Sequence, residues 1–208
     1  SLGLVGSEMC IRDSNNSSSV VRMIQKVGGN VKIGTKPQDL NEASKIVLPG
    51  VGHFDEGMKL LNESGFTESI QECVIKRKTL ILGICLGMQL LCESSEEGTQ
   101  KGICLIKAKV LHLNDSSRNE LKIPHMGWNT VDIVRSNPIL EESLEEQRFY
   151  FVHSYYVQPN VSELCIAKTS YGSDFCSAFN SDNIFGVQFH PEKSHRFGIS
   201  LMKRFVEL

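Results

Sequence analysis

The chain has 208 residues, enough for one domain of ordinary size with a sizeable core, and its 40% hydrophobic and 22% charged residues are those of a globular protein. A net charge of −2 gives no electrostatic reason to expect nucleic acid or an anionic membrane as a partner. No apolar run approaches the ~20 residues that span a bilayer.

Residues 1–14 (SLGLVGSEMCIRDS) have no clean period and run straight into Asn15, Asn16 and three serines. This stretch reads as a non-native, adapter-like scar to be excluded from the fold, the alternative being a genuine, poorly structured N-terminus. The domain is then expected over residues 15–208. Val20, Val21, Ile24 and Val27 form a helical stripe, preceded by serines suited to the N-cap and closed by Gly28 and Gly29. A short strand is predicted at 30–35 and a buried strand at 45–48, the latter running into Pro49-Gly50-Val51-Gly52. Helical patterns follow at 55–63 and 67–78, then an apolar strand from Thr79 to Ile84. Strand and helix in alternation imply a parallel sheet covered by helices on both faces.

After an acidic loop at 93–98 the pattern becomes strand-rich. Strands are predicted at 103–111, 128–134, 148–157, 164–170, 175–180 and 184–189, with a short acidic helix near 138–146. An amphipathic helix at 196–208, carrying Phe197, Leu201 and Phe205 on one face, ends the chain. A β-rich second half folded back on an α/β first half fits one three-layer domain.

Within this frame the stretch 79–91 stands out. An apolar strand ends in Gly83-Ile84-Cys85-Leu86-Gly87 and an amphipathic helical run follows at once, the strand–turn–helix pattern of a nucleophile elbow with Cys in place of Ser. Small residues on both sides let strand and helix pass closely. A cysteine at a helix N-terminus is favoured as thiolate, the alternative being Cys85 as a small hydrophobe between a core strand and a helix. The seven cysteines are scattered, odd in number and without a C-x-x-C pair, which argues against a disulfide framework or a zinc site. No secretory signal is visible, and a reducing, cytoplasmic setting is expected.

A nucleophilic cysteine needs a base, and the base an orienting group. His190 lies at the end of an apolar strand in Gly186-Val187-Gln188-Phe189-His190-Pro191-Glu192, where Pro191 restricts it to extended backbone. The i, i+2 spacing of an extended chain would put Glu192 on the same side, giving a Cys85–His190–Glu192 triad. The backbone N–H of Leu86 is one candidate donor to an oxyanion. The 49–52 turn, through Val51, is another, unless it only ends a strand.

The segments PGVG (49–52), GICLGMQLL (83–91), KIPHMGWN (122–129), FYFVHSYY (149–156) and GVQFHPEKS (186–194) resemble those of class I, triad-type glutamine amidotransferases. Among these, KIPHMGWN and HPEKS are most similar to the glutaminase-subunit family of imidazole glycerol phosphate synthases. The resemblance covers residues 16–208. It implies an α/β, three-layer, flavodoxin-like fold with a mixed central sheet. It also implies hydrolysis of L-glutamine to glutamate and ammonia through a γ-glutamyl thioester on Cys85, without cofactor or metal. Substrate-binding positions would be Gln89, Glu97 (toward the α-ammonium), and Gly52 and Ser154 through backbone groups. The ammonia would pass to a (β/α)₈-barrel synthase subunit, in a heterodimer whose interface or gate includes Met126, Trp128, Asn129, Tyr150 and Lys193. The family opens with a buried strand that the first fourteen residues do not match, so a missing or replaced strand and an unstable chain are expected, with Leu2 to Val5 as an accidental substitute. Three other readings compete: a paralogous glutaminase feeding a different barrel-type synthase in surface-polysaccharide sugar amidation, a non-catalytic partner-binding module, and another elbow-cysteine hydrolase.

Overall fold

The computed structural model of the chain describes residues 9–10, 17–113, 121–142 and 146–208. Its first half alternates short strands with helices: β1 (Met9–Cys10), α1 (Ser17–Lys26), β2 (Val31–Lys32), β3 (Lys45–Gly50), α2 (Phe54–Glu63), α3 (Phe66–Gln71), β4 (Leu80–Cys85) and α4 (Leu86–Leu90). Strands then dominate: β5 (Ser94–Ser95), β6 (Ala108–His112), β7 (His125–Thr130), β8 (Asp132–Ile133), β9 (Arg148–His153), β10 (Tyr155–Pro159), β11 (Cys165–Tyr171), β12 (Ser173–Ser181) and β13 (Ile184–Val187), before α5 (His195–Glu207).

The main sheet runs β2-β1-β3-β4-β13-β12-β10-β6-β5, with β11 and β8 branching from β12. From β2 to β13 every pairing is parallel; β13–β12, β12–β10 and β10–β6 are antiparallel. The sheet is therefore mixed, as expected, and β7 and β9 pair in a separate antiparallel ribbon. Strands β3 and β4 hold the centre because Ile46, Val47, Leu48, Ile81, Leu82 and Ile84 are fully buried, which requires cover on both faces. Two helix groups supply it: α1 packs with α5, and α2 with α3 and α4. Val20 and Ile24 of α1, Phe54, Met58 and Leu61 of α2, and Leu201 and Phe205 of α5 recur at helical spacing and point into the core.

Several boundaries differ from the sequence pattern for visible reasons. Only Val31–Lys32 of the predicted 30–35 strand pairs. The 67–78 helix ends its α-helical part at Gln71 and finishes in a π turn, Glu72–Lys76. Residues 103–106 are apolar but not strand. Their backbone N–H groups donate to the carbonyls of Leu90, Leu91 and Cys92, closing the C-terminal end of α4. The predicted acidic helix is not formed over 138–142, where the Asn137 side chain accepts from the amides of Ile139 and Leu140 and sets a turn instead; residues 143–145 lie outside those described. The predicted strand 148–157 breaks at Ser154, and its halves join different sheets.

Between β2 and β3 stands β1, from the stretch read as a scar. Met9 pairs with Val31, and Cys10 with both Lys32 and Ile46, parallel to each neighbour. The apolar stretch Leu2 to Val5, expected to fill that position, lies outside the described residues.

Candidate active site

Three adjacent parallel strands, β3, β4 and β13, end together. Gly50 pairs with Cys85, and Ile84 with Val187, so the 50–52 turn, Cys85 and the segment leading to His190 leave the sheet at one edge. Cys85 itself has φ 54° and ψ −112°, a conformation that costs a non-glycine residue about 1–3 kcal/mol and persists only where the surroundings impose it. The glycines flanking it impose it by closeness. A Cβ on Gly87 would lie 1.7 Å from the Leu48 carbonyl oxygen, and one on Gly83 2.7 Å from the Gly87 oxygen and the Met88 backbone. Helix α4 is only five residues long and buried throughout, rather than amphipathic. Its dipole is correspondingly small, and the elbow's chemistry rests on its neighbours.

His190 is extended (φ −102°, ψ 96°), as the following proline predicts. Glu192 reaches it differently from the strand-like alternation expected: Pro191–Lys193 is a 3₁₀ turn, and that turn brings Glu192 Oε1 within 2.7 Å of His190 Nδ1. Both side chains are fully buried. Burial disfavours a charge on His190, but contacts with Cys85 and Glu192 together outweigh it and push its pKa up to about 10. The backbone around it is pinned as well. The His190 amide donates to the Tyr150 carbonyl at 2.9 Å, the Ser194 hydroxyl donates to the His190 carbonyl at 2.6 Å, and it accepts from the Tyr150 amide at 3.0 Å.

Cys85 and His190 open into a cavity of about 340 Å³ whose lining includes Val51, Gly52, Leu86, Gln89, Glu97, His153, Ser154 and Tyr155. All four residues expected to hold substrate line it. Gly52 adopts φ +107°, a region favouring glycine, with nothing within 4 Å of an added Cβ, so it serves the backbone turn rather than a tight contact. Gln89 is buried and donates from Nε2 to the Tyr155 carbonyl at 3.0 Å and to Gln188 Oε1 at 3.1 Å. Glu97 accepts from the Phe54 amide at 2.8 Å, at the start of α2, while Asp55 accepts from the Thr99 and Gln100 amides; the acidic loop is thereby clamped to that helix. The Ser154 carbonyl accepts from the Leu113 amide at 2.8 Å.

The residues expected at an interface form a second group beside the cavity. Met126 is 61% and Trp128 42% exposed, large values for side chains of this kind. Trp128 stacks on His195 and meets Tyr150 edge-on, and the Lys193 ammonium lies 5.7 Å from the Tyr150 ring centroid. Asn129 faces inward: its amide reaches His125 Nε2 at 3.2 Å and the Ser170 carbonyl at 3.0 Å.

Sequence reasoning left three participants without a role: Gln188, Ser194 and a buried histidine pair. His153 Nδ1 meets the Tyr155 carbonyl at 2.8 Å, which can only accept, so Nδ1 carries the hydrogen. His153 Nε2 then accepts from His125 Nδ1 at 2.9 Å. Both rings are neutral in this chain of contacts, and burial lowers His125 to about 4 and His153 to about 3. Gln188 and Ser194 sit inside the GVQFHPEKS segment, and alternation along its strand would have marked Gln188 as sharing a side with His190. Nothing local marks the histidine pair, which is made by the register of β7 against β9.

The glutamine amidotransferase class-I family model matches residues 11–207. The chain is 47% identical over 192 residues to the imidazole glycerol phosphate synthase subunit HisH 2 of Methanococcus maripaludis, covering 92% of this chain and 94% of that one. It is 43% identical over 193 residues to the HisH 2 subunit of Pseudomonas aeruginosa, covering 93% and 95%. Among solved structures it resembles a putative GMP synthase subunit from Thermoplasma acidophilum, with TM-score 0.70, 19% identity and coverage of 94% and 90%. A glutamine amidotransferase from Thermotoga maritima aligns with TM-score 0.61 at 21% identity, covering 90% and 74%. The two structural likenesses speak for the fold.

Proposed function

The chain belongs to the class-I glutamine amidotransferase family, and we propose that it is the glutaminase subunit of an imidazole glycerol phosphate synthase, working through Cys85, His190 and Glu192. Cys85 Sγ attacks the side-chain amide carbon of L-glutamine, and the carbonyl electrons move onto oxygen. The backbone N–H groups of Leu86, which as the first residue of α4 has no intrahelical partner, and of Val51 stabilise that oxyanion. His190 gives its proton to the amide nitrogen as the C–N bond breaks, releasing ammonia and leaving a γ-glutamyl thioester. Water then adds to the thioester carbon and gives a proton to His190. The C–S bond breaks, and glutamate leaves. Glu192 holds His190 Nδ1 throughout.

The observation that carries this reading is the strained Cys85 facing a fully buried His190–Glu192 pair at the ends of three parallel strands. A raised His190 pKa supports it, because the ring keeps a proton ready for the leaving nitrogen at neutral pH. Gly52, Gln89, Glu97 and Ser154 hold the substrate's α-amino and α-carboxylate groups. The ammonia passes to a (β/α)₈-barrel synthase subunit in a heterodimer, docked on Met126, Trp128, Tyr150 and Lys193, with Asn129 buttressing that surface from within. The cytoplasm is the proposed setting, in keeping with free thiols at Cys73, Cys85, Cys92, Cys104, Cys165 and Cys176.

The test is glutamate release by the chain in complex with its synthase partner. Cys85→Ala lowers it about 10³-fold or more while leaving complex formation intact. A Cys85→Ala complex that still hydrolyses glutamine at the unaltered rate would overturn the assignment.

A further inference from the structure

Gln188 is fully buried, and its Nε2 donates to Cys85 Sγ at 3.7 Å. The orientation of that amide is fixed by a chain of contacts starting at a backbone carbonyl. The Tyr155 carbonyl can only accept, so the Gln89 atom 3.0 Å from it is Nε2. The second hydrogen of the same nitrogen points at Gln188, which must answer with Oε1, at 3.1 Å. Gln188 is left with Nε2 toward the sulfur; a flipped amide would set donor against donor at Gln89. The Val152 carbonyl lies 3.9 Å from the same sulfur. That carbonyl is the acceptor a thiol proton would use, and Gln188 is the donor a thiolate would use. The two contacts serve the two protonation states.

We propose that Gln188 is a positioning residue for the nucleophile, a buried neutral donor aimed by Gln89 that stabilises and orients the Cys85 thiolate. The substrate side of this inference rests on the glutaminase reading; the sulfur contact does not. Because an amide neither gains nor loses a proton in the working range, Gln188 can hold the sulfur without competing with His190 for the proton the reaction moves. It also narrows what Gln89 offers a ligand. Both hydrogens on its Nε2 are engaged inside the protein, so the side chain presents only Oε1 to the cavity.

The experiment uses the full chain in complex with its synthase partner. It follows alkylation of Cys85 by iodoacetamide from pH 5 to pH 10, read by mass spectrometry on the peptide bearing that residue, beside kcat and KM for glutamine. A hydrogen bond to a charged group carries about tenfold or more in equilibrium. Gln188→Met is therefore expected to slow alkylation at pH 7 about tenfold, to move its midpoint to higher pH, and to lower kcat by a similar factor with KM within about twofold. Gln188→Glu keeps the acceptor for Gln89 and nearly the same shape but removes the donor, and shifts alkylation the same way and further. Gln89→Met frees Gln188 to turn and also slows alkylation, which a residue acting on glutamine alone would not do, because iodoacetamide does not use that contact. Wild-type alkylation midpoints in these variants, or a rise in KM alone, overturn the proposal. Should melting curves show that neither Gln188 variant folds, Gln89→Met decides. Shifted alkylation in a chain whose parent hydrolyses no glutamine would sink the glutaminase reading and leave the sulfur contact standing.

Discussion

Replacing Gly87 by Ala tests whether the elbow is held by close approach of backbones. The added Cβ would sit 1.7 Å from the Leu48 carbonyl oxygen and 2.7 Å from its carbon, where real Cβ contacts essentially never fall below 3.0 Å. Helix α4 or strand β3 must move by at least about 1.3 Å to admit it, and the obstacle is backbone, so no side-chain rotation relieves the overlap. Overpacking a core costs about 1–3 kcal/mol, and a rigid neighbour places this case at the upper end, about 3 kcal/mol. In a domain of this size each kcal/mol is worth roughly 2–4 °C, so melting should fall by roughly 6–12 °C. The shift also carries the Leu86 amide and Cys85 out of place, and a displacement of about 1 Å at a reacting group costs roughly 100-fold in rate. Thermal melts followed by circular dichroism and glutamate release in the partner complex measure the two effects. Gly52→Ala is the comparison: it meets nothing within 4 Å, and its cost, about 1–2 kcal/mol, comes from φ alone. Gly87→Ala with the parental melting point and rate would refute the argument from close approach.

The remaining predictions concern pH and the docking face. His125 and His153 are held neutral, with pKa values lowered from 6.5 to about 4 and about 3, so their contribution is fully present above pH 6.5 and is lost as pH falls through 4 and 3. Urea unfolding between pH 7 and pH 3 should show stability declining with acid, at up to about 1.4 kcal/mol per pH unit for each ring, and His153→Gln should flatten the slope. His190 has the opposite sign. Its pKa is raised to about 10, so its paired, protonated form stabilises below pH 6.5 and that contribution fades as pH rises toward 10; Glu192→Gln should shrink the alkaline loss. A pH-independent urea midpoint across either window counts against the assignment made for that window. Trp128→Ala, which removes a side chain 42% exposed, should weaken partner affinity about 30-fold or more while moving the melting point by less than about 3 °C. Unchanged affinity in isothermal titration would remove Trp128 from the interface.

What could be read from the sequence follows the range of the forces involved. The elbow was legible because strand, turn and flanking glycines lie within nine residues, and the strain at Cys85 is local. His190 and Glu192 were legible through Pro191, which keeps His190 extended, but it also starts a 3₁₀ turn, and the turn rather than strand alternation joins the pair. The histidine pair and the Gln89–Gln188 contact were not legible, because each joins positions 28 and 99 residues apart whose meeting depends on strand register. The same limit explains residues 103–106. Their apolar run suits a strand, and only the open carbonyls at the end of α4 make a turn the better use of their N–H groups.

The order of the sheet separates what holds the site from what holds the domain. The chemistry leaves the carboxyl ends of β3, β4 and β13, where open α/β sheets bind their ligands, and these three strands are mutually paired through Gly50–Cys85 and Ile84–Val187. Strand β1 lies outside that trio. It touches β3 through Cys10 and Ile46, four residues before Gly50, and its other neighbour is the two-residue β2. The pairing of β1 therefore bears on the ladder at the far side of β3, while Cys85 is held from the near side by β4, by α4 against Leu48 and by β13. The consequence is a division of labour along one sheet: the β2–β1 edge bears on how stably the domain folds, and the β3–β4–β13 centre on where the sulfur points.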